Sequence, residues 1–139
     1  MKTLLATDGS EYSETAARFL TLLNLSPEDI VTLFHVVSEI PYEDDYGKQI
    51  LHAIKRVSPK ILRSCEDALR SLPVRIIKAE GEGVPETEIA KKAEDSDADL
   101  IVMGARGVKG ISSLFLGSVT RAVSALTSRP LLITKPSSR

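Results

Sequence analysis

Cysteine occurs once in the 139 residues, at Cys65. An internal disulfide and a cysteine-rich metal cage are therefore excluded, and the chain suits a reducing compartment. An excess of either charge is equally missing: 18 lysines and arginines stand against 19 aspartates and glutamates, a formal net charge of −1. That balance gives no basic footprint for nucleic acid and none for an anionic membrane. Long apolar runs are absent too. The start, MKTLLATDGSEYSE, has only a brief apolar stretch, too short for a secretory core. No later run approaches the ~18 residues of a membrane span. A soluble, cytoplasmic protein is the expectation. Asparagine and glutamine each occur once among many Glu, Lys and Arg, a depletion seen in proteins from hot environments.

What is present is enough for one core. With 42% hydrophobic side chains, a chain of this length folds as a single domain, 1–139, without metals or disulfides. Short β-rich runs alternate with longer segments of helical period, the pattern of an α/β fold with a parallel sheet. The strands read as Lys2 to Ala6, Ile30 to Val37, Val74 to Ala79, Leu100 to Met103 and Leu131 to Lys135. The interior ones are apolar nearly throughout, as strands covered on both faces are. The first helix carries Ala16, Ala17, Leu20 and Leu23 on one face, with Ser10 as N-cap. The acidic stretch from Ser38 to Gly47 reads as a loop or lid before a helical region from Lys48 to Leu72. Pro59 leaves two options there, a kink or a second helix capped by Ser58. Pro85 opens a third helix with Ile89, Ala90 and Ala93 inward, and Val119, Ala122, Val123 and Leu126 mark a fourth.

Ligands of open parallel sheets bind beyond the carboxyl ends of the strands, where the connections reverse direction. Thr7, Asp8, Gly9 and Ser10 follow the first strand, and GARGVKGISSLFLGSV follows the fourth. The second stretch spaces Gly104, Gly107, Gly117 and Ser118 as GxxG, nine residues, then Gly-Ser at a helix start. Bare backbone lets a phosphate reach N–H groups, and a helix N-terminus adds unpaired donors and a favourable dipole. The plainer reading is a turn with Ser118 as an ordinary cap. The Walker pattern is absent, and GEGVPE, from Gly81 to Glu86, lacks the third glycine of a dinucleotide fingerprint and reads as a turn.

These segments together resemble the universal stress protein family along nearly the whole chain: LLATDGSEYSETA, TLFHVV, DADLIVMGARG and LGSVTRAVSALTSRPLLITK. The resemblance implies a Rossmann-like, adenine nucleotide alpha hydrolase-like α/β fold. Its five-stranded parallel sheet would run in the order 3-2-1-4-5 with helices on both faces, and a homodimer would form through the last strand. The GxxG, nine residues, Gly-Ser spacing is that of the family's ATP-binding branch. Carried over, Gly104, Gly107, Gly117, Ser118 and Val119 would hold phosphates and ribose, and Asp8 the ribose. Val36 would present backbone to the adenine edge, and Thr7 and Met103 would line the pocket. A Mg²⁺ ion would ride on the phosphates rather than on protein ligands. Asp8 has the alternative of a helix cap. His35 reads as a packed strand residue rather than a catalytic base, His52 as a surface residue, and Arg106 and Lys109 as solvated loop cations. Glu43 to Asp45 face solvent on this reading rather than binding metal.

No base or arginine finger stands out near the glycine stretch, so the chain is read as holding a nucleotide rather than breaking one. The expected function is that of a regulatory, stress-response protein whose ATP occupancy is read by a partner protein. The alternatives are a slow ATP-hydrolysing or phosphotransfer enzyme and a dimerisation module that binds no nucleotide.

Overall fold

In the computed structural model, residues 1–39, 43–107 and 116–136 are described. The order of elements is β1 (Lys2–Ala6), α1 (Glu11–Leu20), β2 (Ile30–Ser38), α2 (Asp45–Ala68), β3 (Arg75–Gly83), α3 (Pro85–Asp95), β4 (Leu100–Gly104), α4 (Ser118–Leu126) and β5 (Leu131–Thr134). All neighbouring strands are parallel, in the order β3-β2-β1-β4-β5.

Burial explains why the strands do not alternate apolar and polar residues. In β1, Leu5 packs under α1 and α2 with Leu33, Val102, Ala16, Ala17, Leu20 and Leu62. Its neighbour Leu4 packs on the opposite face with Phe34, Ile101, Ile89, Ala93 and Val123. Successive side chains thus enter two different cores, so both must be apolar. Leu4, Leu5 and Leu33 are fully buried, and truncating any of them to alanine costs about 2–5 kcal/mol.

The helices start where local chemistry says they should. The Ser10 hydroxyl accepts from the Ser13 amide, with Glu11 and Glu14 in the first turn of α1. The Asp44 carboxylate accepts from the Gly47 amide at 2.7 Å and caps α2. The acidic segment is therefore largely absorbed: Ser38 ends β2, and Asp45 already belongs to the helix. Residues 40–42 lie outside the described residues. Pro59 sits inside a single helix of 24 residues rather than starting a second one. Its ring is exposed, and Ser58 is fully buried beside Leu62 instead of serving as a cap. The buried row Ser58, Leu62, Cys65 crosses the proline and packs the helix from Ser58 onward against the first core.

Two expectations are corrected. Gly81 to Gly83 extend β3 rather than turning, because an exposed edge strand needs no apolar pattern. Glycine at 81 admits the Phe34 ring, whose Cζ would stand 2.7 Å from an added Cβ. In α4, Leu126 is 57% exposed, and the buried positions are Thr120 and Val123.

At the amino-terminal end of the sheet the strand starts are tied by charge. The terminal ammonium and the Ser26 amide bond Asp29, just before β2, and the Lys2 amide bonds Asp99, just before β4. Arg129, just before β5, bonds Glu94, Asp97 and the Ala98 carbonyl. The ammonium beside Asp29 holds its carboxyl below the ordinary carboxylate range, and Arg129 does the same for Glu94 and Asp97.

Candidate functional site

β1 and β4 are adjacent, yet the helices that follow them lie on opposite faces, α1 with the first core and α4 with the second. A crevice opens between such diverging connections at the carboxyl end of the sheet.

The loop after β1 is fixed by its own polar groups. The Thr7 amide makes the last rung, donating to the Phe34 carbonyl at 2.9 Å, and Gly9, with φ of +80°, then turns the chain away. The Thr7 hydroxyl donates to Ser13 Oγ at 3.0 Å and accepts from Cys65 Sγ at 3.2 Å. Burial pushes the Cys65 thiol above its ordinary range. The Thr7 carbonyl meets His35 Nδ1 at 2.8 Å. Asp8 is not the helix cap, a role that falls to Ser10; one carboxylate oxygen instead accepts from the Ser10 amide at 3.0 Å.

The other oxygen of Asp8 faces the loop after β4. It stands 2.4 Å from where a Cβ on Gly107 would be, so only glycine admits the carboxylate here. At Gly104 an added Cβ would lie 2.6 Å from Tyr12 Cβ and 2.7 Å from its carbonyl carbon, which lets α1 start hard against β4. At Gly117 it would meet Arg106 Cα at 3.1 Å. The Gly117 amide donates to the Ala105 carbonyl at 2.7 Å, and Thr120 Oγ1 donates to the Gly104 carbonyl at 2.9 Å, fastening the start of α4 to the end of β4. The glycines thus serve close approach of the protein to itself. Gly117 is the N-cap of α4 and Ser118 its first residue, so the amides of Ser118 and Val119 have no intrahelical acceptor. Ser118 is exposed.

Val36 enters through ladder geometry. In a parallel strand, alternate residues bond to opposite neighbours. The Ile30 amide and the Phe34 carbonyl bond toward β1, while the Asp29 carbonyl and the Glu39 amide bond toward β3. The N–H and C=O of Val36 therefore point to the β1 side. Pairing there ends at Ala6↔Phe34, so they lie beyond the last rung and face the crevice. Thr7 and Met103 are each 5% exposed: the Thr7 hydroxyl is turned inward, and Met103 packs in the second core. Their side chains belong to the walls behind the crevice.

Other sequence candidates fall elsewhere. His35 is buried on Thr7, and His52 is exposed on α2. The Arg106 guanidinium donates to the Tyr12 hydroxyl at 3.0 Å and stacks on its ring rather than being merely solvated. Lys109 lies outside the described residues. Among the described residues no group of three or more His, Cys, Asp or Glu is placed to hold a metal ion. Two shallow grooves, one of about 280 Å³ lined by Pro59, Arg63, Lys78 and Glu80, lie between α2 and β3, away from this convergence. The sequence reading missed Tyr12, Ser13 and Thr120. Their signal is indirect, since a glycine ending a buried strand requires a neighbour that comes close.

The profile of the Universal stress protein family matches residues 1–135. The chain belongs to that family. It is 28% identical to the universal stress protein YxiE of Bacillus subtilis, covering 96% of this chain and 98% of that one. The solved structure of the universal stress protein MJ0577 of Methanocaldococcus jannaschii superposes with a TM-score of 0.88 at 27% identity, covering 98% and 97% of the two chains. More distant universal stress protein structures share the fold, one in complex with cAMP (TM-score 0.66, 22% identity, 99% and 98% covered). Another is from Arabidopsis thaliana with AMP bound (TM-score 0.73, 15% identity, 99% and 93% covered). Among the described residues no helix is long and apolar enough to cross a membrane.

Proposed function

We propose that this universal stress protein is a cytoplasmic regulator that binds an adenine nucleotide, ATP first, in the crevice between β1 and β4. The observation that carries the reading is the meeting of Asp8, Gly107 and the amino terminus of α4 at a switch point, with helix-start amides left to a ligand. Phosphates sit against the bare backbone of Gly107 and Gly117 and on the amides of Ser118 and Val119, since the Ala105 and Gly117 amides are spent on the Thr134 and Ala105 carbonyls. Asp8 accepts from ribose hydroxyls, and the Val36 backbone reads the base edge. Mg²⁺ is carried by the phosphates. Proteins of the same fold holding cAMP and AMP support the choice of an adenine nucleotide.

On this reading the arrangement grips rather than cuts. His35 is engaged on Thr7, and among the described residues none is placed as a base to orient a water on a terminal phosphate. Occupancy is transmitted to the sheet edge, because the Ala105 amide bonds the Thr134 carbonyl of β5 at 2.8 Å. β5 is an edge strand whose Leu131, Leu132 and Ile133 are only half-buried, and a homodimer forms through it. A regulatory partner protein reads the loaded dimer.

Mass spectrometry of small molecules released from freshly purified protein is expected to show an adenine nucleotide, and millimolar ATP is expected to raise Tm. Neither effect appearing sinks the binding reading. Sustained phosphate release abolished by Gly117→Val moves the protein to the enzymes. A monomer at micromolar concentration by light scattering sinks the dimer.

A further inference from the structure

We propose that His35 is a positioning residue of the nucleotide site, a role that rests on the reading above. Where β1 leaves the sheet, the Thr7 carbonyl still points at β2, and the group that an unbroken parallel ladder would offer it is the Val36 amide. His35 takes that acceptor instead, at 2.8 Å and with the ring buried. A carbonyl only accepts, so Nδ1 carries the proton and donates. One hydrogen bond then has two consequences. The peptide joining Thr7 to Asp8 is fixed in plane, which aims the Asp8 carboxylate at Gly107 and the crevice. The Val36 amide is left unspent by the ladder and turned to where the base edge lies.

The bond is locked from the other side as well. Thr7 cannot rotate toward Val36 without breaking its hydroxyl contacts to Ser13 and Cys65. The imidazole therefore works as a decoy donor: it lets the β1 pairing end cleanly at Ala6↔Phe34 while β2, which runs four residues further beside β3, presents a bare amide.

The test uses three proteins, wild type, His35→Leu and His35→Asn, titrated with ATP by calorimetry, with amide hydrogen exchange read at Val36 and Val37. An asparagine amide stands near the place of Nδ1–H and restores the donor; leucine fills the core without one. His35→Leu is expected to weaken ATP binding about tenfold or more, and His35→Asn to recover most of it. In nucleotide-free wild type the Val36 amide exchanges faster than that of Val37, which belongs to the β2–β3 ladder, and ATP slows it. In His35→Leu the Val36 amide closes onto Thr7 and exchanges slowly without ATP. Equal ATP affinity in wild type and His35→Leu overturns the inference, as does an asparagine variant as weak as the leucine one. Should the leucine variant not fold, a Val36 amide as protected as Val37 in nucleotide-free wild type overturns it alone. Absence of ATP binding by wild type marks failure of the parent reading instead.

Discussion

At the amino-terminal end of the sheet the strands are tied together by charged side chains, whereas at the carboxyl-terminal end they are joined by backbone groups meeting across glycines. The first end uses Asp29, Asp99 and Arg129, each one or two residues before a strand, to hold the chain terminus, a strand amide and the end of α3. The second end uses Gly104, Gly107 and Gly117, with the Asp8 side chain wedged against Gly107. A side-chain clamp fills its own space and satisfies its own donors, so that end is closed. A backbone junction spends the Ala105 and Gly117 amides on itself and leaves those of Ser118 and Val119 without an intrahelical acceptor. The division teaches that charge in this protein serves the frame, and bareness serves the site.

The largest test of that division falls on Gly104, which breaks it. Although it stands at the open end, its missing Cβ is occupied by the backbone of Tyr12, which cannot yield as a flexible side chain does. Gly104→Ala is expected to lower unfolding free energy by about 2–3 kcal/mol in urea denaturation, and Gly104→Val by more. Next comes Gly107→Ala, where the obstructing atom is the tip of the Asp8 side chain. Here stability should change by less than about 1 kcal/mol while ATP affinity falls roughly tenfold as the carboxylate is displaced. Similar losses of stability in both variants would erase the distinction between the two glycines.

The closed end should answer in the opposite sense. Arg129→Ala removes bonds from a partly buried guanidinium to exposed Glu94 and Asp97 and to the Ala98 carbonyl, and is expected to lower Tm by only a few degrees, with ATP affinity unchanged. The smallest effect is a pH signature. Asp29 titrates below its unfolded value of 3.8, so its contribution is complete above that pH and is lost as pH falls through the folded value. The terminal ammonium titrates above its unfolded value of 8.0, so its contribution is complete below that pH and is lost as pH rises through the folded value. Asp29→Asn should flatten both limbs of a Tm-against-pH curve. An acid limb unchanged in the variant would assign the acid sensitivity to other carboxylates.

The sequence carried the order of elements and the residues of both cores, because two-sided burial writes itself as unbroken apolar runs such as LIVM. It failed at β3, where an edge strand ends in GEG with little burial to encode, and it left Pro59 undecided between a kink and a second helix, where one helix runs through the proline with Ser58, Leu62 and Cys65 buried. At the crevice, the spacing of glycines marked the loop and the helix start. It did not reveal that Tyr12 fills the space above Gly104, nor that His35 occupies Thr7, because both contacts join residues far apart in the chain. Residues 108–115, the middle of the nine-residue spacing, lie outside the described residues.

Cys65 gives this arrangement a clock. It is the chain's one thiol, fully buried, and it donates to the same threonine whose carbonyl His35 holds. A thiol reagent reaches it only when α2 lifts from the loop that carries Asp8, so the labelling rate of the unmodified protein counts those openings directly. No engineered probe is required, and a bound nucleotide that ties the loop down is expected to lengthen the interval between them.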